Sequence, residues 1–164
     1  MIELLSKEHN RQDFDCGKEL LNNYLKQQAS QDVNRKLAVC FVLCVKDSSE
    51  IMGYYTLSNN SIPLSSFPED IRKKFPKSYK AIPTTLLGRL AIALKFQGQG
   101  VGSALLIDAL KKSYLASREL GSFAVVVDPI DDSAIEFYAK YDFIKLPDSG
   151  KMFLTMKTLS DLFA

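Results

Sequence analysis

Six consecutive residues, Gln97-Gly98-Gln99-Gly100-Val101-Gly102, have the types and spacing that could do chemistry. They fall between an apolar stretch ending near Leu94 and a helical pattern beginning near Val101. A strand, a glycine-rich turn and a helix N-terminus together make an anion cradle. Successive backbone N–H groups point at one place, the helix dipole favours negative charge, and glycines let the backbone approach closely. A Walker loop would end in Gly-Lys-Ser/Thr, whereas Gly102 is followed by Ser103 and Ala104. The dinucleotide fingerprint G-x-G-x-x-G fails in both registers, at Ser103 and at Leu105. A different phosphate-bearing ligand and a glycine turn with no ligand both stay open on these residues.

Composition narrows the remaining chemistry. The 164-residue chain carries 21 Lys+Arg against 19 Asp+Glu, a net charge of +2, which argues against a strongly basic nucleic-acid module or an acidic tail. With 46% hydrophobic residues, one domain over residues 1–164 with a sizeable core is expected. A single histidine (His9, expected at the surface) and three cysteines with no C-x-x-C pair speak against a zinc centre or a histidine triad, so no metal is expected. Cys40 and Cys44 would share one face of a strand and are expected as buried, inert thiols. The longest apolar run, Leu37 to Val45, is about half of the ~18 residues that a membrane span needs. The first fifteen residues lack a signal-peptide core, and a reduced, cytoplasmic setting is expected.

The elements that would position these groups follow from periodicity and turn residues. Ile2 to Leu5 reads as an edge strand. Asp15 is the expected cap of a helix whose stripe is Cys16, Leu20, Tyr24 and Gln28, with Leu21 and Leu25 beside it. Leu37–Val45 and Ile51–Leu57 predict a hairpin across Asp47-Ser48-Ser49. Asn59 to Thr85 reads as a long connection, with four of the six prolines and the cations Arg72, Lys73, Lys74, Lys77 and Lys80. Leu86–Leu94 is a second strand, broken by Gly88 and Arg89. A helix over Val101–Glu119 with Gly121 as C-cap, a central strand over Phe123–Val127, a helix over Asp131–Tyr141 and a last hairpin through Phe143-Ile144 and Met152–Met156 complete a mixed α/β sheet.

At this point the sequence resembles the GCN5-related N-acetyltransferases (GNAT). Gln97-x-x-Gly100-x-Gly102 matches their Gln/Arg-x-x-Gly-x-Gly/Ala signature. Leu90-Ala91-Ile92 looks like their fourth strand, and Phe137-Tyr138 through Phe143 like their closing Phe-Tyr-x-x-x-Gly-Phe, with Asp142 in place of the glycine. Phe14-x-x-Gly17, Gly53-Tyr54-Tyr55-x-Leu57, Ile82-Pro83 and Leu87-Gly88-Arg89-Leu90-Ala91 narrow the likeness to the acetyltransferase toxins of bacterial type II toxin–antitoxin systems. The resemblance implies a single-domain GNAT fold, with a mixed central sheet, a splayed parallel strand pair and flanking helices. It implies acetyl-CoA as co-substrate and direct transfer to a primary amine.

The site residues implied by the resemblance are these. The pyrophosphate would sit on Gln97, Gly98, Gln99, Gly100, Val101, Gly102 and Ser103. The pantetheine arm would pair with Leu90, Ala91 and Ile92, where a backbone N–H can also meet the thioester oxygen. Tyr138 would give the leaving thiolate its proton, since a phenol of pKa about 10 is protonated at neutral pH. On spacing alone Tyr138 reads rather as a core aromatic of its helix, and it is the Phe137-Tyr138 pairing within the motif that reverses that reading. The general base is not legible; Tyr54, Tyr55, Asp128 and Glu136 are the titratable neighbours. An α-amine, with a pKa of about 7.7–8.0, needs a base less than a lysine amine near 10.4. That favours the toxin group's substrate, aminoacyl-tRNA, over a small-molecule or peptide amine or a non-catalytic acyl-CoA-binding role. Arg89, Arg35, Lys36, Lys73 and Lys77 are the candidate tRNA contacts, although loop charges are commonly just solvated surface. An antitoxin partner and a homodimer are the assemblies implied.

Overall fold

The computed structural model describes residues 1–163 and runs β1 (Ile2–Leu4), α1 (Glu19–Asn23), a π-helical turn (Tyr24–Gln28), α2 (Ala29–Asn34), β2 (Val39–Cys44), β3 (Ile51–Pro63), a 3-10 turn (Leu64–Ser66), α3 (Glu69–Arg72), β4 (Ala81–Ile92), a 3-10 turn (Leu94–Phe96), α4 (Val101–Ser117), β5 (Ala124–Val127), α5 (Asp132–Ala139), β6 (Ile144–Lys145), β7 (Met152–Thr155) and α6 (Met156–Phe163). The strands form one seven-stranded mixed sheet in the order β1-β2-β3-β4-β5-β7-β6, with β4 and β5 a parallel pair linked through α4. The chain divides into two compact units, residues 1–58 with 87–109, and residues 59–86 with 110–164.

In the first unit β1, β2 and β3 pair antiparallel in sequence. The expected hairpin turn is there: Asp47 takes φ +58°, and the Ser48 and Val45 N–H groups donate to Val45 O and Glu50 O. The core gathers Phe14, Leu21, Leu25, Val42, Ile51 and Tyr54, with the Tyr54 hydroxyl donating to Leu21 O at 2.8 Å. Burying each large aliphatic side chain contributes about 1.5–3 kcal/mol. The first helix departs from expectation. Asp15 does not cap it; α1 begins at Glu19, and Lys18 at its N-cap makes no side-chain cap bond. Leu20 is 72% exposed, while Leu21, Tyr24, Leu25 and Ala29 are buried. The buried stripe of Leu21, Leu25 and Ala29 runs one position on from the expected Leu20 register, with Tyr24 beside it, and the π-helical turn, closed by Ala29 N–H on Tyr24 O, lies within it. The imidazole of His9, expected at the surface, is only 7% exposed: Nδ1 accepts from Ser6 N–H and Nε2 donates to Glu3 at 2.8 Å.

In the second unit the expected long connection is shorter. β3 runs on to Pro63 and β4 starts at Ala81, and the Leu64 N–H donates to Lys80 O across the segment's ends. Phe67 packs edge-on against Phe123 and Phe153 at 5.6 and 5.4 Å, and Ile62, Ile82, Ala124, Val126 and Leu146 complete that core. β5, buried at every residue, pairs antiparallel with β7 in the register Ala124↔Thr155 to Val127↔Met152. Gly121 is not a left-handed C-cap; α4 stops at Ser117 and unwinds through i→i+3 bonds to Leu115 O and Ala116 O. The chain closes not on a strand but on α6, whose first turn is capped by Thr155 Oγ1 accepting from the Thr158 N–H.

Candidate functional site

The glycine-rich segment lies in the first unit, between the end of β4 and the first turn of α4. Gly98 and Gly100 take φ +75° and +82°, backbone that side chains disfavour. A Cβ placed on either would meet nothing within 4 Å. These glycines therefore serve backbone shape beside open space, which a ligand can approach. The first four N–H groups of a helix have no partner within it. The 17-residue α4 begins directly after this turn, so the positive pole of its dipole lies there.

Gln97 holds the loop in place. Its amide donates to Ile92 O at 2.9 Å and to Cys16 O at 3.2 Å, joining the end of β4 to the segment before α1. That segment is itself fixed. Leu94 N–H donates to Asp15 O, Cys16 N–H donates to the buried Asn22 amide oxygen at 2.8 Å, and the Asp15 carboxylate accepts from Gly17 N–H and the Asn22 amide. These bonds hold the Asp15 carboxyl below the usual carboxylate range, the Gly17 N–H first among them. Upstream, Gly53 lets β3 approach closely: a Cβ there would stand 2.7 Å from Leu105, 2.8 Å from Ala91 O and 2.8 Å from Ile92. Asn22 and Gly53 carry the loop's support, and neither has a chemical motif that would announce it.

Among the described residues Arg89, on β4, pairs with no acid. Its guanidinium carbon lies 3.6 Å from the centroid of the Tyr24 ring. Of the titratable neighbours considered as bases, Tyr54 and Tyr55 are ruled out by position. Both are fully buried, with their hydroxyls donating to Leu21 O and to Asp108 at 2.6 Å, and burial pushes both phenols up. Cys40 is buried, which pushes its thiol up to about 12, whereas Cys44, expected to be buried too, is half-buried with its thiol raised by partial desolvation. Arg35 and Lys36, at the end of α2, are exposed.

The second unit carries Tyr138 on α5, a helix capped by the Asp131 carboxylate accepting from Ala134 N–H at 2.8 Å. The ring is 7% exposed between Phe137 and Phe143, at centroid distances of 5.3 and 5.2 Å. Burial pushes its phenol up, and among the described residues none hydrogen-bonds to its hydroxyl. Lys73 and Lys77 are exposed in the connector, with Arg72, Lys74 and Lys80. Among the described residues no group of three or more His, Cys, Asp or Glu could hold a metal, and no helix is long and apolar enough to cross a membrane.

The profile of the acetyltransferase (GNAT) domain matches residues 37–145. The chain belongs to the GNAT acetyltransferase family. This acetyltransferase is 33% identical over 145 residues to a tRNA-acetylating toxin of Mycobacterium tuberculosis, covering 88% of this chain and 84% of that protein. It superposes with a TM-score of 0.91 on AtaT complexed with acetyl-methionyl-tRNAfMet, at 32% identity and over 100% and 99% of the two chains. A mutant AtaT bound to the C-terminus of the antitoxin AtaR and acetyl-CoA matches at a TM-score of 0.82 and 29% identity, over 100% and 98%. The mixed α/β sheet expected from the residues, and the GNAT fold that the resemblance implies, are the ones observed.

Proposed function

We propose that this acetyltransferase moves the acetyl group of acetyl-CoA onto the α-amine of aminoacyl-tRNA in the cytoplasm, so that charged tRNA is withdrawn from translation. The observation that carries the reading is the likeness over nearly the whole chain to a tRNA-acetylating toxin and to AtaT with its acetylated tRNA. In this reading residues 1–164 act as one catalytic domain. The amides of Gln97 to Ser103 hold the pyrophosphate, for which the open space at Gly98 and Gly100 is suited. The backbone of Leu90, Ala91 and Ile92 aligns the pantetheine arm, and an N–H there steadies the thioester oxygen as it gains charge.

The amine nitrogen forms a bond to the thioester carbon as the carbon–sulfur bond breaks. The amine loses its proton to solvent, and Tyr138 hands its own to the departing thiolate. Burial keeps this phenol protonated, and among the described residues no hydrogen-bond acceptor competes for its proton. Arg89, Arg35, Lys36, Lys73 and Lys77 contact the tRNA. A small antitoxin protein is the partner, as AtaR is for AtaT, and the active form is a homodimer.

Labelled acetyl-CoA incubated with a total charged-tRNA pool tests the reading, with uncharged tRNA and Tyr138→Phe beside it. Label on charged tRNA only, lost in the Phe variant, is the expected result. No label on charged tRNA, with turnover of polyamines or peptides, would overturn the substrate and leave the family standing.

A further inference from the structure

The half-buried guanidinium of Arg89 is held on one face and unspent along its edge. It stacks on Tyr24, at 3.6 Å to the ring centroid. Tyr24 is 5% exposed, and its hydroxyl donates to Asp32 Oδ2 at 2.9 Å. Tyr24 opens the π-helical turn and Asp32 lies on α2. On an α-helix of 3.6 residues per turn, positions eight apart sit about 80° apart around the axis. The wider turn takes up that angle and brings the Asp32 carboxylate back to the Tyr24 hydroxyl. By accepting the phenolic proton, the carboxylate enriches the ring that the cation rests on, and so strengthens the stack.

A guanidinium has five N–H donors. Among the described residues no acceptor lies within hydrogen-bond or ion-pair distance of Arg89. A partly desolvated arginine with its fork unused is matched to an external bidentate anion, carboxylate or phosphate. In an aminoacyl-tRNA the amino acid's carboxyl is an ester and carries no charge. The anion it offers is a phosphodiester.

We propose that Tyr24 and Asp32 are positioning residues that present the Arg89 guanidinium, face-stacked and edge-free, to a backbone phosphate of the acceptor tRNA. The proposal rests on the tRNA reading given above. It explains a π-helical turn in the first helix and an arginine within an otherwise apolar strand as one device.

Filter binding of uncharged tRNA across a salt series tests it, with acetyl-CoA affinity and thermal midpoint measured on the same proteins. Arg89→Ala and Tyr24→Leu are each expected to weaken tRNA binding about tenfold and to flatten the log–log salt slope by about 0.7–0.9, one phosphate's share. Tyr24→Phe, which keeps the ring, is expected to retain most of the affinity. Asp32→Asn should weaken binding by no more than Tyr24→Phe does, and add nothing in the Tyr24→Phe background. Acetyl-CoA affinity should stay within twofold throughout. A folded Tyr24→Leu protein with unchanged tRNA affinity and salt slope would overturn the proposal, as would a wild type that does not bind tRNA. If the wild type binds tRNA yet transfers no acetyl to charged tRNA, the catalytic reading fails while the binding series still decides the clamp.

Discussion

Tyr138 is a phenol that burial keeps protonated; a thiolate is a weaker base than phenolate, so the proton would move only as the carbon–sulfur bond breaks, with the phenolate then reprotonated from solvent. Burial moves its pKa above the ordinary value of about 10, so the protonated acid persists across the whole working range. The sign follows: a raised pKa postpones the alkaline loss of the acid, and it leaves the neutral and acidic side untouched. The rate should therefore climb as the substrate amine deprotonates, then hold level to at least pH 9.5. Tyr138→Phe should lower kcat by about 10²–10⁴-fold, with acetyl-CoA affinity unchanged. A descending limb centred below pH 9 in the pH–rate profile would reassign the acid to another group.

Elements fix these residues through a few backbone positions, and two of them can be weighed. Asp142 follows α5 with φ +68°, where the family pattern has glycine. A non-glycine residue there costs about 1–2 kcal/mol, partly offset by the extra freedom glycine gives the unfolded chain. Asp142→Gly should raise stability by about 0.5–1 kcal/mol, or roughly 1–4 °C in Tm by calorimetry. Gly53→Ala should do the reverse. Its Cβ would press on the Ala91 carbonyl, which is backbone and cannot rotate aside, so a loss of about 1–3 kcal/mol is expected. Because Ala91 lies in the strand segment proposed to align the pantetheine arm, acetyl-CoA affinity should fall with it.

What the sequence discloses at this scale is uneven, for physical reasons. The β2–β3 hairpin, α4, β5 and α5 are legible because each has a clear period and a strong turn or cap beside it. The loop from Gln97 is legible because left-handed backbone demands glycine. Helix α6 is not legible, since Met152 to Met156 continues as an apolar run and the capping role of Thr155 shows only in three dimensions. The start of β4 at Ala81 is masked by Pro83, which argues against a strand until its neighbours are known. The wide turn at Tyr24 follows no residue rule, and the buried stripe runs through Leu21, Leu25 and Ala29, one position on from Leu20. At the site, glycines and the Phe137-Tyr138 pair announce themselves. Asn22, Tyr24 and Asp32 do not, because their work is to hold other groups.

At the scale of the whole molecule, a net charge of +2 gives little long-range pull on a polyanion. At physiological salt the screening length is about 8 Å, so only cations close to the bound phosphates contribute. Lys73 and Lys77 are exposed in the connector and can act in that way. Changing both to Glu turns the net charge to about −2 and puts like charge beside the phosphates. The KM for charged tRNA should then rise about tenfold or more at 50 mM salt and converge towards the wild-type value above about 0.3 M, with kcat retained. Lys46→Glu with Lys157→Glu makes the same net change at other exposed positions. If local contact governs, that pair should leave KM within about twofold, because screening confines each charge to its own neighbourhood. Equal losses from both pairs would assign the effect to the overall field. No loss from the connector pair would move the RNA path away from residues 73 and 77, and leave Arg89 with Arg35 and Lys36 as the phosphate contacts to test.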